Sequence, residues 1–414
     1  MFIYNPLAKE SAVYQAWRDL GNAPGRTNWP DARVVERYVA HLADASAGGN
    51  SRASVSALVP ESRPIVRDLR ALLGVTALDS PFGELLSESG IEVHFPVLDQ
   101  FDARSIEIGD RRPAVFISSR VLDGIDFFAN FVGTWSRLNS YLGERALLPA
   151  GSPVPYAWIP FLVNDGYIDL GELPGGYADY HNNFMESFLR GMIMIVHSPR
   201  FKAGGSLEAG RVQVAESRDN FIEPQYLAAL TLLYVYLHEC AHIFLAHNER
   251  VPRLAPVDQL IGGIIEEWID EKNRAAGEIV AQPLWGKGSS LQFSFEATAD
   301  IQAVRSTIGG YGDAVLEAAS LWFTALSTCR VGGADLFDAL KRSTGDEYPP
   351  YPMRVWALNG ALSSYRRQGH VAHSVRRAAE LMAGAAVPYK PEQHRTRGTA
   401  THRFGWRLPK ARRS

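Results

Sequence analysis

Residues 224–247 read PQYLAALTLLYVYLHECAHIFLAH, and the fold follows from how this stretch is read. Pro224 suits the first turn of a helix, where its missing N–H would have no partner anyway. The run LAALTLLYVYL that follows is apolar on every side. A helix of that kind is buried, not amphipathic. One long helix over 224–247 is therefore expected in the core, with Pro252 bounding its end. The most apolar part, 227–237, is too short to span a bilayer and runs straight into His238 and Glu239.

Those two residues begin the pattern His238-Glu239-x-x-His242. On a helix, residues four apart lie about 40° apart around the axis, so both imidazoles leave from one face and can bind one metal ion. Glu239 sits one step round, where it can touch a metal-bound water without ligating. That arrangement belongs to a zinc hydrolase. The plain alternative is a buried helix whose histidines bond to neighbours. Against it stands the cost of burying two His and a Glu on the most apolar helix of the chain without a strong partner.

A third ligand is best sought in 295–304, FEATADIQAV. Glu296 and Asp300 are four apart on an expected helix and share a face. Glu296 can ligate Zn²⁺, and Asp300 can accept the other ring N–H of a ligand histidine, which fixes its tautomer. The surrounding residues are small and apolar, so a carboxylate pair there needs a partner. A rival pair, Glu266 and Asp270 in IIEEWIDEK, lies nearer to His242 but on a heavily charged helix, as an exposed face would be. His247, five residues after His242, would point about 140° away on a continuing helix and is read as structural. Cys240 lies off the His face and reads as a small core residue. His181 and His197 have no evident partner in the sequence.

The rest of the chain divides into four regions. Residues 1–60 read as an N-terminal helical arm, with DASAGGNSRASVS at 44–56 as a linker. Residues 61–210 read as a mixed α/β region that supplies substrate walls or regulation. Helices are expected at 67–73, 82–89 and 127–141, and strands at 91–95 and 114–118. Residues 211–387 read as the catalytic domain, with a short strand over 210–215 and helices near 257–276, 293–307, 312–329 and 352–382. Residues 388–414 form a basic tail with Glu392 as its one acid.

Composition narrows the classes further. Of 414 residues, 46% are hydrophobic and 21% charged, which is globular. The net charge of −3 gives no global field for nucleic acid, and the basic tail is read as a solvated end. Two cysteines cannot build a disulfide framework, so a reducing compartment is expected. With no signal-peptide pattern at the N-terminus, the expectation is a cytoplasmic protein that does not enter the membrane. GxSxG, GxxxxGK[ST] and zinc-finger cysteine spacings are missing from the sequence.

HExxH followed by ExxAD on a later helix resembles the gluzincin metallopeptidases. The nearest types are the CAAX-protease and stress-protease group (peptidase family M48) and the cytosolic Lit-like and ImmA/IrrE-like peptidases. His247 and the segment YPPYPMR at 348–354 also resemble the first group, although Tyr351 stands where that group has His and its membrane helices are missing. The resemblance covers about 225–360. It implies an α+β, predominantly helical, zincin-like domain with a small sheet and an HExxH active-site helix. It implies Zn²⁺ held by His238, His242 and Glu296, with Glu239 as general base toward a protein or peptide substrate. Arg354 is the first candidate for the oxyanion donor, followed by Tyr348, Tyr351, His370 and His373. The strand at 211–215 is the expected edge for an extended substrate. Two other functions share the site: a zinc-site sensing or binding protein that cleaves nothing, and a proteolytic effector triggered by stress or phage infection.

Overall fold

The computed structural model of the chain describes residues 63–76, 80–88, 91–97, 101–108, 112–144, 222–247, 289–307 and 310–328, together with single positions that include Val59, Leu78, His181, Ile265 and Arg354. Within them run six helices: α1 (Pro64–Val75), α2 (Ser80–Glu88), α3 (Ser119–Glu144), α4 (Pro224–Phe244), α5 (Ser289–Arg305) and α6 (Gly310–Thr328). Three strands, β1 (Glu92–His94), β2 (Ala103–Ile108) and β3 (Arg112–Ile117), make one sheet in the order β1-β3-β2. The protein is α+β and mostly helical among these residues. Apart from Val59, the expected arm at 1–60 lies outside them. So do the basic tail, the strand at 210–215, and nearly all of the helices near 257–276 and 352–382.

α4 is the centre of the described residues. Its buried positions run from Tyr226 through His242 on every side of the axis. α1, α3, α5 and α6 pack around it, and β2 and β3 lie against it. Burial on all sides is what an all-round apolar helix requires. By length and composition α4 could cross a membrane, but 83% of its most apolar window is buried inside the protein. The residues around it form one hydrophobic cluster, from Val59 to Leu358.

The close crossing of α3 and α4 depends on a glycine. A Cβ added at Gly133 would lie 2.5 Å from Pro224 Cγ and 3.2 Å from the Ile222 carbonyl oxygen. Pro224 therefore has a second role beyond starting the helix, since its ring rests on the bare backbone of α3. α3 starts at Ser119, eight residues before the expected start, and Ser118 sets that beginning. The Ser118 hydroxyl accepts from the N–H groups of Val121 and Asp102, at 3.3 and 3.2 Å, and so caps the helix that follows β3.

β1 pairs parallel with β3 and β2 pairs antiparallel with it, Ser105 opposite Val115. The expected strands at 91–95 and 114–118 correspond to β1 and β3. β2, ARSIEI, was missed because two charged residues interrupt its apolar alternation.

The expected helix over 224–247 is shorter than read. It stops at Phe244, and Leu245–His247 form a turn. Ala246 has φ 57°, in the left-handed region. Its N–H donates to the Ile243 carbonyl at 3.1 Å, and the His247 N–H reaches back to the His242 carbonyl at 2.9 Å. That pair of bonds is the Schellman ending, normally built on glycine. An alanine there hides the stop from a sequence reading and stores roughly 1 kcal/mol of strain.

Two substitutions test this account with opposite signs. Gly133→Ala, which would gain about 1 kcal/mol in an open helix, should instead destabilise the protein by ~1–3 kcal/mol through overpacking. Ala246→Gly should stabilise it by about 0.5–1 kcal/mol, because glycine takes φ 57° without strain. Urea unfolding of both variants reads the signs directly.

Candidate metal centre

Spacing alone carries His238 and His242 to the same side of α4. Their Nε2 atoms lie 3.1 Å apart. α5 crosses beside them and brings Glu296, with its two carboxylate oxygens 3.3 Å from His238 Nε2 and 3.6 Å from His242 Nε2. One ligand atom from each of the three residues falls within 4.8 Å of the others, and all three residues are buried. Two imidazole nitrogens and a carboxylate oxygen are a donor set for a divalent transition metal. The cluster could hold a metal ion.

Asp300 sits one turn beyond Glu296 on α5 and is fully buried. Its Oδ1 lies 2.8 Å from His238 Nδ1, so the ring nitrogen on the far side from the cluster is engaged. Tyr234, four residues before His238 on the same face of α4, donates its hydroxyl to Asp300 as well. Arg354 completes the set: Nε donates to Oδ2 at 2.8 Å and Nη2 to Oδ1 at 2.6 Å. The guanidinium lies 4.3 Å from the Phe323 ring centre and is itself buried. Its Nη2 is also 3.4 Å from the His238 ring nitrogens and 3.6 Å from Glu296.

These contacts set the charges. Burial works against ionising Asp300, but the Arg354 charge and hydrogen bonds, then His238, hold its carboxyl well below the usual range. Burial likewise opposes Glu296, and the neighbouring His242 ring, the His238 hydrogen bond and the Arg354 charge overcome it. Burial would lower His238, yet the Asp300 carboxylate beside it and Glu296 raise it to about 9. Burial pushes His242 down to about 3, helped by the neighbouring His238 and His247 rings, so this imidazole is neutral with a lone pair to offer. Glu239 is pushed up to about 7, chiefly by burial, with the Glu296 and Asp102 charges adding to it. A hydrogen bond from Ser105 on β2 works the other way.

His247 departs most from expectation. The reading that it points away assumed a helix running through it. Because the helix ends at Phe244, the turn returns His247 to the cluster, with its Nδ1 3.0 Å from His242 Nδ1. Its ring also lies 4.4 Å from Phe295, the neighbour of Glu296. The Tyr234 hydroxyl and Ser105 were missed too. Tyr234 could have been found from its i, i+4 spacing to His238. Nothing in the sequence brings Ser105 to Glu239, a contact that depends on β2 lying across α4.

Cys240 is buried and free, its thiol pushed up by burial and paired with Tyr236. His181 packs edge-on to Trp135 at 6.2 Å, and burial lowers it to about 4. It lies outside the cluster. The rival pair Glu266 and Asp270, and also His197, Tyr348, Tyr351, His370 and His373, lie outside the described residues.

Fold and site together define an α+β protein with a buried His-His-Glu group able to hold a metal ion. No protein-family model matches this chain, and no curated protein or solved structure is significantly similar to it.

The raised Glu239 carboxyl has a stability consequence. Its pKa is higher in the folded protein than in the unfolded chain, so the native state holds this proton more tightly. The protein loses stability as pH rises from the unfolded value of about 4.5, through the folded value of about 7. Metal-free Glu239→Gln should therefore match the metal-free parent below that window and exceed it in Tm above. Paired thermal melts across pH 4–8.5 check the divergence, and parallel curves would remove it.

Proposed function

We propose that the chain is a zinc-dependent metallopeptidase of the gluzincin kind, with a zincin-like arrangement of α4, α5 and the sheet. One observation carries this reading. His238, His242 and Glu296 converge within 4.8 Å, and the next residue on α4, Glu239, has its carboxyl raised to about 7. A structural ion network explains the first feature alone. It does not explain a third carboxyl poised beside the cluster at a pKa fit for proton transfer near neutral pH.

His238, His242 and Glu296 would hold the zinc. When bound, zinc supplies a Lewis acid that acidifies water and polarises a peptide carbonyl. Glu239 then takes the proton from the attacking water and delivers it to the departing amine, work that a group near pKa 7 does well in both directions. Asp300 holds the His238 ring by Nδ1 and keeps Nε2 turned to the cluster. Arg354 keeps Asp300 ionised and sets a positive charge 3.6 Å from Glu296. We assign the same guanidinium to stabilising the oxyanion, as the cation nearest the cluster among the described residues.

The substrate reading rests on β2. Its hydrogen-bonded partner among the described residues is β3, which leaves β2 at one edge of the sheet. Ser105 on β2 bonds to Glu239, so that strand runs past the base. An extended protein segment adding to this strand would present its backbone carbonyls to the cluster. β2 takes the place of the strand at 211–215 in this proposal.

Metal analysis and turnover test it together. The purified chain should carry about one zinc, lost in His238→Ala and in His242→Ala. Glu239→Gln should keep the metal and lose turnover on an unfolded protein substrate by several orders of magnitude. A chain that takes up no zinc after supplementation would end the proposal. Zinc-loaded protein whose behaviour is unaltered by Glu239→Gln would mark a binding protein instead.

A further inference from the structure

His242 has two ring nitrogens, and only one can join the cluster. Nε2 faces His238 at 3.1 Å and Glu296 at 3.6 Å. Nδ1 faces His247 Nδ1 at 3.0 Å. A neutral imidazole carries its single proton on one nitrogen and a lone pair on the other, and the partner of the first decides which. We propose that His247 is a positioning residue that accepts the Nδ1–H of His242 and so holds it in the tautomer whose Nε2 lone pair faces His238 and Glu296. The inference rests on the zinc reading for its function, but the tautomer belongs to the protein without metal.

Three features hold His247 for this task. The left-handed Ala246 turns the chain back, and the His247 N–H bonds to the His242 carbonyl at 2.9 Å. The two residues are thus joined twice, by backbone and by ring. The His247 ring packs on Phe295 at 4.4 Å with 31° between planes, which ties the end of α4 to the residue beside Glu296. His247 is also buried, so water competes poorly for the bond.

The two ligand histidines are then held differently. His238 has a carboxylate at its second nitrogen, itself paired with Arg354. His242 has another imidazole there, the His247 ring. A carboxylate increases the basicity of the imidazole it holds, while an imidazole acceptor orients without adding charge. One strong and one softer ligand spare the cluster a further buried carboxylate beside Glu239, Glu296 and Asp300.

The test uses the full chain with ¹⁵N-labelled histidine. In the metal-free protein, long-range ¹⁵N–¹H spectra should show His242 protonated on Nδ1 and bare on Nε2. In His247→Phe, which keeps the ring on Phe295, that preference should vanish. Zinc affinity by chelator competition should then fall about 10–100-fold. His247→Asn, which restores an acceptor, should recover part of both. A wild-type His242 protonated on Nε2 overturns the inference even if no variant folds. So does His247→Phe with tautomer and affinity unchanged. If the wild type binds no zinc while His242 shows the expected tautomer, the metal reading fails and the positioning role stands.

Discussion

A carboxylate with no exposure to water sits between the two helices that matter, and it must be paired. Asp300 accepts from Arg354 twice, from His238 and from Tyr234. An ionised carboxyl buried alone is too costly to persist, and a mispaired one would neutralise instead. Pairing it requires α5 to lie with its acidic face on α4, and it draws Arg354 to the same point from 54 residues further along the chain. The orientation of the His238 ring follows, and with it the position of the cluster.

The helix carrying the histidines has little freedom to respond. α4 is enclosed by four helices and by the sheet, and its polar face lies inside the protein. A glycine in α3 lets its first turn come close, and a Schellman turn shapes its end. The site is therefore built from the enclosed middle of the fold, with β2 supplying a sheet edge among the described residues. Preorganisation of this kind suits ligands that must hold a fixed geometry.

Charge is distributed unevenly around the cluster. Asp300 and Glu296 are held ionised, Arg354 and His238 carry the positive charges, His242 is neutral, and Glu239 sits near the midpoint of its titration at neutral pH. Protonated His238 turns Nδ1–H to Asp300 and Nε2–H to Glu296, and the Nε2 proton is the one a metal ion held there would displace. Exchange of that proton for a metal is how such sites couple binding to pH. The two carboxyl groups on α5 differ from Glu239 because Arg354 reaches the former, while Glu239 faces the sheet and meets a hydroxyl.

The sequence by itself determined the central helix, the placing of His238 and His242 on one face, and the sharing of a face by Glu296 and Asp300. All of these depend on spacing within one element, where helix geometry converts distance along the chain into direction. β1 and β3 were legible for the same reason, as short runs of strand-forming residues. Arg354 was singled out by resemblance, and its bond to Asp300 came only with the fold. Tertiary structure alone decided that β2 lies beside Glu239, that Ser105 bonds to it, and that His247 turns back to His242. The first two join segments more than 100 residues apart, and no local pattern encodes such a meeting. The third turned on one alanine in a conformation that alanine disfavours, held there because packing on Phe295 and bonds to His242 outweigh roughly 1 kcal/mol of strain.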